Sequence, residues 1–157
     1  MIRFIAALDS KRGLADDKGI PWSDKIPTDI AFFRKSTVHS NVLMGFRTYQ
    51  EFKKPLSDRH NYVSARDDSA LRGGFEPVTD TRGFLKGFQE DIWVIGGAGL
   101  FAQTIDLADE LHLTHLDADF HCTKFFPDFT DKFVQIEKSK PITENGITYH
   151  FAVYKRN

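Results

Sequence analysis

Asp29 stands in the stretch IPTDIAFF, residues 26–33, as one carboxylate among bulky apolar side chains. Pro27 disfavours helix at Ile26 and suits a first helical position, so the stretch predicts a helix over 27–37. Asp29 then falls in the first turn, where the helix dipole and free backbone N–H groups favour an acid. Spacing argues for more than that. Ile26, Asp29, Ile30, Phe33 and Thr37 share one face by the i, i+3, i+4 rule, and the face is apolar enough to turn inward. A carboxylate buried there is costly unless a donor bonds to it. The sequence does not name the donor, and an ordinary helix-end acid is the alternative reading.

A second group of residues suits a phosphate. VIGGAGLF, residues 94–101, reads as strand, paired glycines, then helix, a turn that brings N–H groups and a positive helix end to a pyrophosphate. MGFRT, residues 44–48, repeats the pattern with Gly45, and Arg47 and Thr48 can meet an anion there. Arg66 lies just past a third strand. Two arginines beside two helix starts suit a phosphorylated cofactor, because guanidinium binds phosphate in bidentate fashion. Taken singly, each glycine pair is only a tight turn and each arginine only a solvated charge.

These residues need a frame to hold them. The chain of 157 residues is 41% hydrophobic and 27% charged, which fits one domain, 1–157. The net charge of −1 gives no reason to expect nucleic acid or an acidic membrane as partner. The apolar run at residues 4–8 is too short for a signal peptide or a membrane span. A single cysteine, Cys122, excludes an internal disulfide framework and fits a reducing, cytoplasmic setting. The six histidines form no HExxH or Cys/His cluster, so no metal site is expected. His112 and His115 are an odd number apart and so face opposite sides of a strand.

Along the chain, residues 2–8 read as a buried strand and 9–24 as a long polar loop of the kind that carries function. Strands are expected at 41–45, 60–65, 75–78, 91–97, 110–120, 133–140 and 148–155. Helices are expected at 27–37, 46–52, 79–88 and 98–109. Residues 67–74 are turn-like, and the Asn-Gly in PITENGI signals a hairpin between the last two strands. The alternation predicts an α/β fold with one central mixed sheet of about eight strands, mostly parallel with an antiparallel C-terminal strand, and about four helices. Ligands in such sheets bind beyond the carboxyl ends of the strands.

Over nearly its whole length the chain resembles dihydrofolate reductases. The matching pieces, in order, are IAAL, GIPW, TDIAFFRKST, VLMGFRTYQEF, PLSDRHNYV, WVIGGAGLF, ADELHLTHLDADF and FFPDF. The resemblance implies NADPH-dependent reduction of 7,8-dihydrofolate, with antifolates as further ligands, in a monomer. It implies that Asp29 binds the pterin, with Trp22 and Thr114 in the same catalytic group. Ile5, Ala7, Ile30, Phe33, Phe52, Leu56 and Ile95 match the pocket for pterin and aminobenzoyl rings, and Arg59 matches the clamp on the α-carboxylate. Ala7, Leu14, Gly45, Arg47, Thr48, Ser64, Arg66, Gly96, Gly97, Ala98, Gly99, Leu100 and Phe101 match cofactor positions. A cis peptide between Gly96 and Gly97 is implied too, and residues 9–24 match a mobile lid.

The chain departs from the family's pattern in places. Phe46 stands where a basic residue is common, Ala15 replaces a lid glycine, and Cys122 and Thr123 replace a Gly-Asp that braces the lid. A pyrimidine reductase of riboflavin synthesis shares the fold and glycine turns, but is not expected to combine PW…TD with FFPDF. A non-catalytic NADPH- or folate-binding protein is the alternative of another class.

Overall fold

The computed structural model describes residues 1–67 and 70–157. Its elements in chain order are β1 (Ile2–Leu8), β2 (Gly13–Ala15), α1 (Pro27–Thr37), β3 (Asn41–Gly45), α2 (Phe46–Glu51), β4 (His60–Ser64) and β5 (Phe75–Val78). There follow α3 (Thr81–Gly87), β6 (Ile92–Val94), α4 (Ala98–Thr104), β7 (Glu110–Leu116), β8 (Lys124–Phe125), β9 (Phe133–Lys138), β10 (Ile142–Glu144) and β11 (Ile147–Arg156). The turn-like segment 67–74 lies partly outside the described residues.

The main sheet runs β10-β11-β7-β1-β6-β3-β4-β5, with β9 also pairing β11. All its pairs from β7 to β5 are parallel, while β11 is antiparallel to β7, β9 and β10. Apolar side chains cover both faces of the central strands, as a parallel sheet requires. Phe4, Leu8, Leu43, Val94, Leu111 and Leu113 fill one core, and Ile5, Val42, Met44, Val63 and Trp93 the other. Chain order skips from β1 to β3 and leaves β6 to slot between them, so the carboxyl ends of β1, β6 and β3 open one crevice.

The expected helix at 27–37 is found at those bounds. Other segments differ from expectation, and the strand expected over 91–97 spans only Ile92–Val94 before the glycine turn. The strand expected over 110–120 ends at Leu116, because the chain then turns to meet the loop after β1, where Ser10 N donates to Ala118 O at 2.9 Å. The helix expected over 98–109 stops at Thr104, whose hydroxyl turns back onto Leu100 O at 2.7 Å, and a 3-10 turn follows at Ile105–Leu107. Asn145 and Gly146 do form a hairpin turn, with φ of 50° and 78°, but it joins β10 to β11, and β9 uses the same edge of β11 further along. The eight expected strands therefore correspond to eight rows, one of them shared.

Candidate active site

Asp29 faces the crevice from the first turn of α1. Its partner is Thr114 on β7, whose hydroxyl donates to Asp29 Oδ1 at 2.6 Å. Thr114 is 3% exposed and lies in register with Ala7 of β1, so two adjacent parallel strands place the hydroxyl. Asp29 stays in the first turn of α1, where the dipole favours an acid, and the bond to Thr114 adds to that placement. Ile26, at the start of α1, gives no side-chain cap, and Glu144 from the β10–β11 hairpin accepts from Thr28 N at 3.1 Å instead. Glu144 also accepts from the hydroxyls of Thr28 and Tyr149. Burial holds the Asp29 carboxyl above the usual carboxylate range; the Thr114 bond pulls it down and the charge of Glu144 pushes it up.

The α1 face does not turn inward as a whole. Ile26 and Thr37 at its ends are buried, Asp29 and Phe33 are half-buried, and Ile30 is 38% exposed. The face forms the wall of an open cleft with its middle left uncovered. Opposite it, Ile5 belongs to one buried cluster against which Phe33, Phe52, Leu56 and Ile95 pack. Trp22 is 2% exposed and packs with Ile26, Leu116, Tyr149 and the edge of Phe120, with Ala7 against the same cluster.

At the far end of the cleft Arg59 is held in place before any ligand arrives. Its Nε donates to Ser57 O and its Nη1 to Thr37 Oγ1, both at 2.9 Å. Asn61, buried at the start of β4, closes the loop beneath it through bonds to Leu56 N, Leu56 O and Arg59 O, each 3.0 Å. Burial and then the neighbouring charge of Arg34 lower the proton affinity of Arg59. Sequence reasoning missed Arg34 and Asn61. For Arg34 the available signal was its position five residues after Asp29, on the next turn of the same helix.

The phosphate-side residues gather at the ends of β3, β4 and β6. Gly45 N donates to Gly96 O at 2.7 Å, and the Gly96–Gly97 peptide is cis. A Cβ at Gly45 would lie 3.5 Å from Gly96 O, and one at Gly97 would lie 3.7 Å from the Thr48 hydroxyl, so the turns nest against each other. Gly96 has φ of 120°, which a side chain would resist. Beside them a cleft of about 840 Å³ is lined by Arg47, Ser64 and Arg66, and also by Gln50, Thr79, Thr81, Arg82 and Gln103. Ala98 and Gly99 open α4 at this end. Leu14 is half-buried against the larger core.

Leu100 and Phe101 follow in α4 and are buried. Their side chains are core residues, with the Phe101 ring 5.1 Å from Phe4 and 5.0 Å from Phe126. Both also back the glycine turns: a Cβ at Gly96 would lie 3.6 Å from the Phe101 ring, and one at Gly45 would lie 3.7 Å from Leu100 Cβ. Thr81 and Arg82, which the sequence reading passed over, open α3 two residues after β5 and were findable as a fourth strand end. Phe46, 45% exposed, leans on Tyr49 with 5.4 Å between rings and lines the same cleft.

The loop after β1 is pinned by a small second sheet. β2 pairs antiparallel with β8, and Thr123 N donates to Ala15 O at 2.9 Å.

Comparison with known proteins bears on all of this. The family model described as "Dihydrofolate reductase" matches residues 1–156. A dihydrofolate reductase of Bacillus subtilis (strain 168) is 32% identical, with 99% of this chain and 95% of that protein aligned. A type 3 dihydrofolate reductase of Salmonella typhimurium is 34% identical across 82% of this chain and 80% of its own length. In fold, the chain matches a dihydrofolate reductase from Enterococcus faecalis complexed with NADP(H) and RAB-propyl, at a TM-score of 0.88, 22% identity, and coverage of 100% of this chain and 96% of that one.

Proposed function

The chain belongs to the dihydrofolate reductase family, and from that premise we propose how its own residues carry the family's reaction. The protein is an NADPH-dependent enzyme that reduces 7,8-dihydrofolate to 5,6,7,8-tetrahydrofolate. The observation that carries the role assignment is Asp29 bonded to Thr114 in an open cleft, with its proton affinity raised by burial. One carboxylate oxygen takes the Thr114 hydroxyl. The carboxylate keeps acceptor capacity for the pterin 2-amino group and ring N–H.

NADPH, when bound, supplies the hydride that adds to pterin C6. The residues present fit such a group: nested glycine turns allow close backbone approach, and Arg47, Arg66 and Thr48 offer donors to phosphate. Ile5, Ala7, Phe33 and Ile95 form the apolar walls that exclude bulk water and fix the ring planes, with Phe52 and Leu56 farther along. Asp29 orients the pterin and favours its protonated state, while water brings the proton to N5. Ile30 borders the open side, and Arg59 holds the α-carboxylate. Leu14, Ser64 and the backbone of Gly96, Gly97, Ala98, Gly99, Leu100 and Phe101 complete the cofactor side, with Trp22 seating the lid against Phe120.

We read residues 1–157 as one domain that works as a monomer and takes antifolates in the pterin cleft. No helix among the described residues is long and apolar enough to cross a membrane. The buried free thiol of Cys122 supports a cytoplasmic setting. The test is steady-state loss of NADPH absorbance with dihydrofolate as substrate. Turnover with dihydrofolate and none with a riboflavin-pathway pyrimidine supports the reading; the reverse overturns it.

A further inference from the structure

Asp9 is a buried carboxylate that the reaction does not use. It follows β1 directly and is 3% exposed. Its Oδ1 accepts from Lys11 N at 2.9 Å and Gly13 N at 2.7 Å, and its Oδ2 accepts from Phe120 N at 3.0 Å. The Cys122 side chain adjoins the same Gly13 site as the carboxylate, and burial followed by the charge of Asp9 pushes its thiol up to about 12. One carboxylate thus ties two loops together, residues 9–13 and residues 117–122.

The surrounding bonds follow the same seam. Ser10 N donates to Ala118 O at 2.9 Å, Phe126 N to Arg12 O at 2.8 Å and Thr123 N to Ala15 O at 2.9 Å. Asp9 is the side chain at the centre of this seam. Gly13 shows how closely the carboxylate is enclosed, since a Cβ there would lie 2.7 Å from both Asp9 oxygens and 2.6 Å from Cys122 Cβ.

We propose that Asp9 is the positioning residue that braces the lid in this enzyme. The inference rests on the assignment of residues 9–24 as lid and of Leu14 to the cofactor side. A backbone N–H bonded to a carboxylate is held by a charge-assisted bond, about twice as strong as a neutral one. Three such bonds converge beside β2, so the place of Leu14 is set by Asp9. The effect belongs chiefly to NADPH, because Asp29 stands on α1 and Arg59 in the loop before β4, both away from this seam.

The test uses the full chain with Asp9→Asn. The amide offers one acceptor oxygen, and its NH2 opposes N–H donors where the second oxygen accepted. Amide exchange at Gly13 and Phe120 should quicken by roughly tenfold or more, the scale of one hydrogen bond to a charged acceptor. KM for NADPH should rise while KM for dihydrofolate holds. Unchanged exchange at Gly13 and Phe120, or equal rises in both KM values, overturns the brace. A parent enzyme that fails to oxidise NADPH with dihydrofolate would instead overturn the functional reading, and the exchange data would still decide the role of Asp9.

Discussion

Replacing Asp29 by Asn should separate its two roles. The variant keeps shape and keeps Thr114 as a donor to the remaining oxygen, 2.6 Å away in the parent. A bond to a charged group is worth about 1.5–3 kcal/mol and to a neutral one about 0.5–1.5, and a buried donor left facing a donor costs about 1–3. The net loss against the pterin is therefore about 2–4 kcal/mol, or roughly 30- to 1000-fold in kcat/KM for dihydrofolate. Stability should move the other way. Burial outweighs the Thr114 bond and raises the carboxyl above its unfolded value. A raised carboxyl contributes stability that is fully present below the unfolded pKa, about 4, and is lost as pH rises through the folded value. The Asn variant lacks that loss, so its advantage in melting temperature should be absent at low pH and grow towards neutrality. The assays are kcat/KM for dihydrofolate across pH and thermal melting across the same range, with NADPH binding as control. An Asn variant that kept full activity, or that became less stable as pH rose, would refute the reasoning.

Thr114→Val removes the one bond that lowers the Asp29 carboxyl, so the acid limb of the kcat/KM profile should shift to higher pH, and stability near neutral pH should fall by about 1–2 kcal/mol; a profile that stays in place counts against the pair. Arg59→Ala should raise KM for dihydrofolate at least about tenfold with kcat largely kept, the pattern of lost uniform binding, and a pteridine without glutamyl carboxylates should not notice the change. Arg66→Ala should weaken NADPH by about 1.5–3 kcal/mol and leave NADH nearly unaffected; equal losses in titrations with both would show that Arg66 does not read the 2′-phosphate.

Local signals in the sequence carried α1 well, because Pro27 and an i, i+3, i+4 face specify a helix without outside help. The same signals could not tell Asp29 the helix-end acid from Asp29 the cleft acid. That distinction depends on Thr114, 85 residues on, and on Glu144, which accepts from Thr28 N across 116 residues. Both arrive through strand register, which no single segment encodes. Ile30 was read as inward-facing because spacing fixes a face but not what covers it, and this cleft leaves it 38% exposed. The strand-end residues Arg47 and Arg66 were legible, since a strand followed by glycine or arginine marks a ligand-facing end. The three-residue β2 and two-residue β8 were not, being too short for any period to show, and with them went the seam around Asp9.

The pairing of Glu144 with Thr28 also sets a timetable. A ribosome makes α1 early and β11, with its hairpin, after every other element here. Until then the first turn of α1 has no acceptor from Glu144, and β7 has no neighbour on the side that Tyr149 to Lys155 will cover. The nascent chain must therefore carry an unfinished cleft wall from α1 onward, and a bare β7 edge from Leu116 until β11 is made. Bare edges are where chains stick to one another. Slowing translation over residues 117–157 should therefore lower the folded yield, by lengthening the time for which β7 stands without β11.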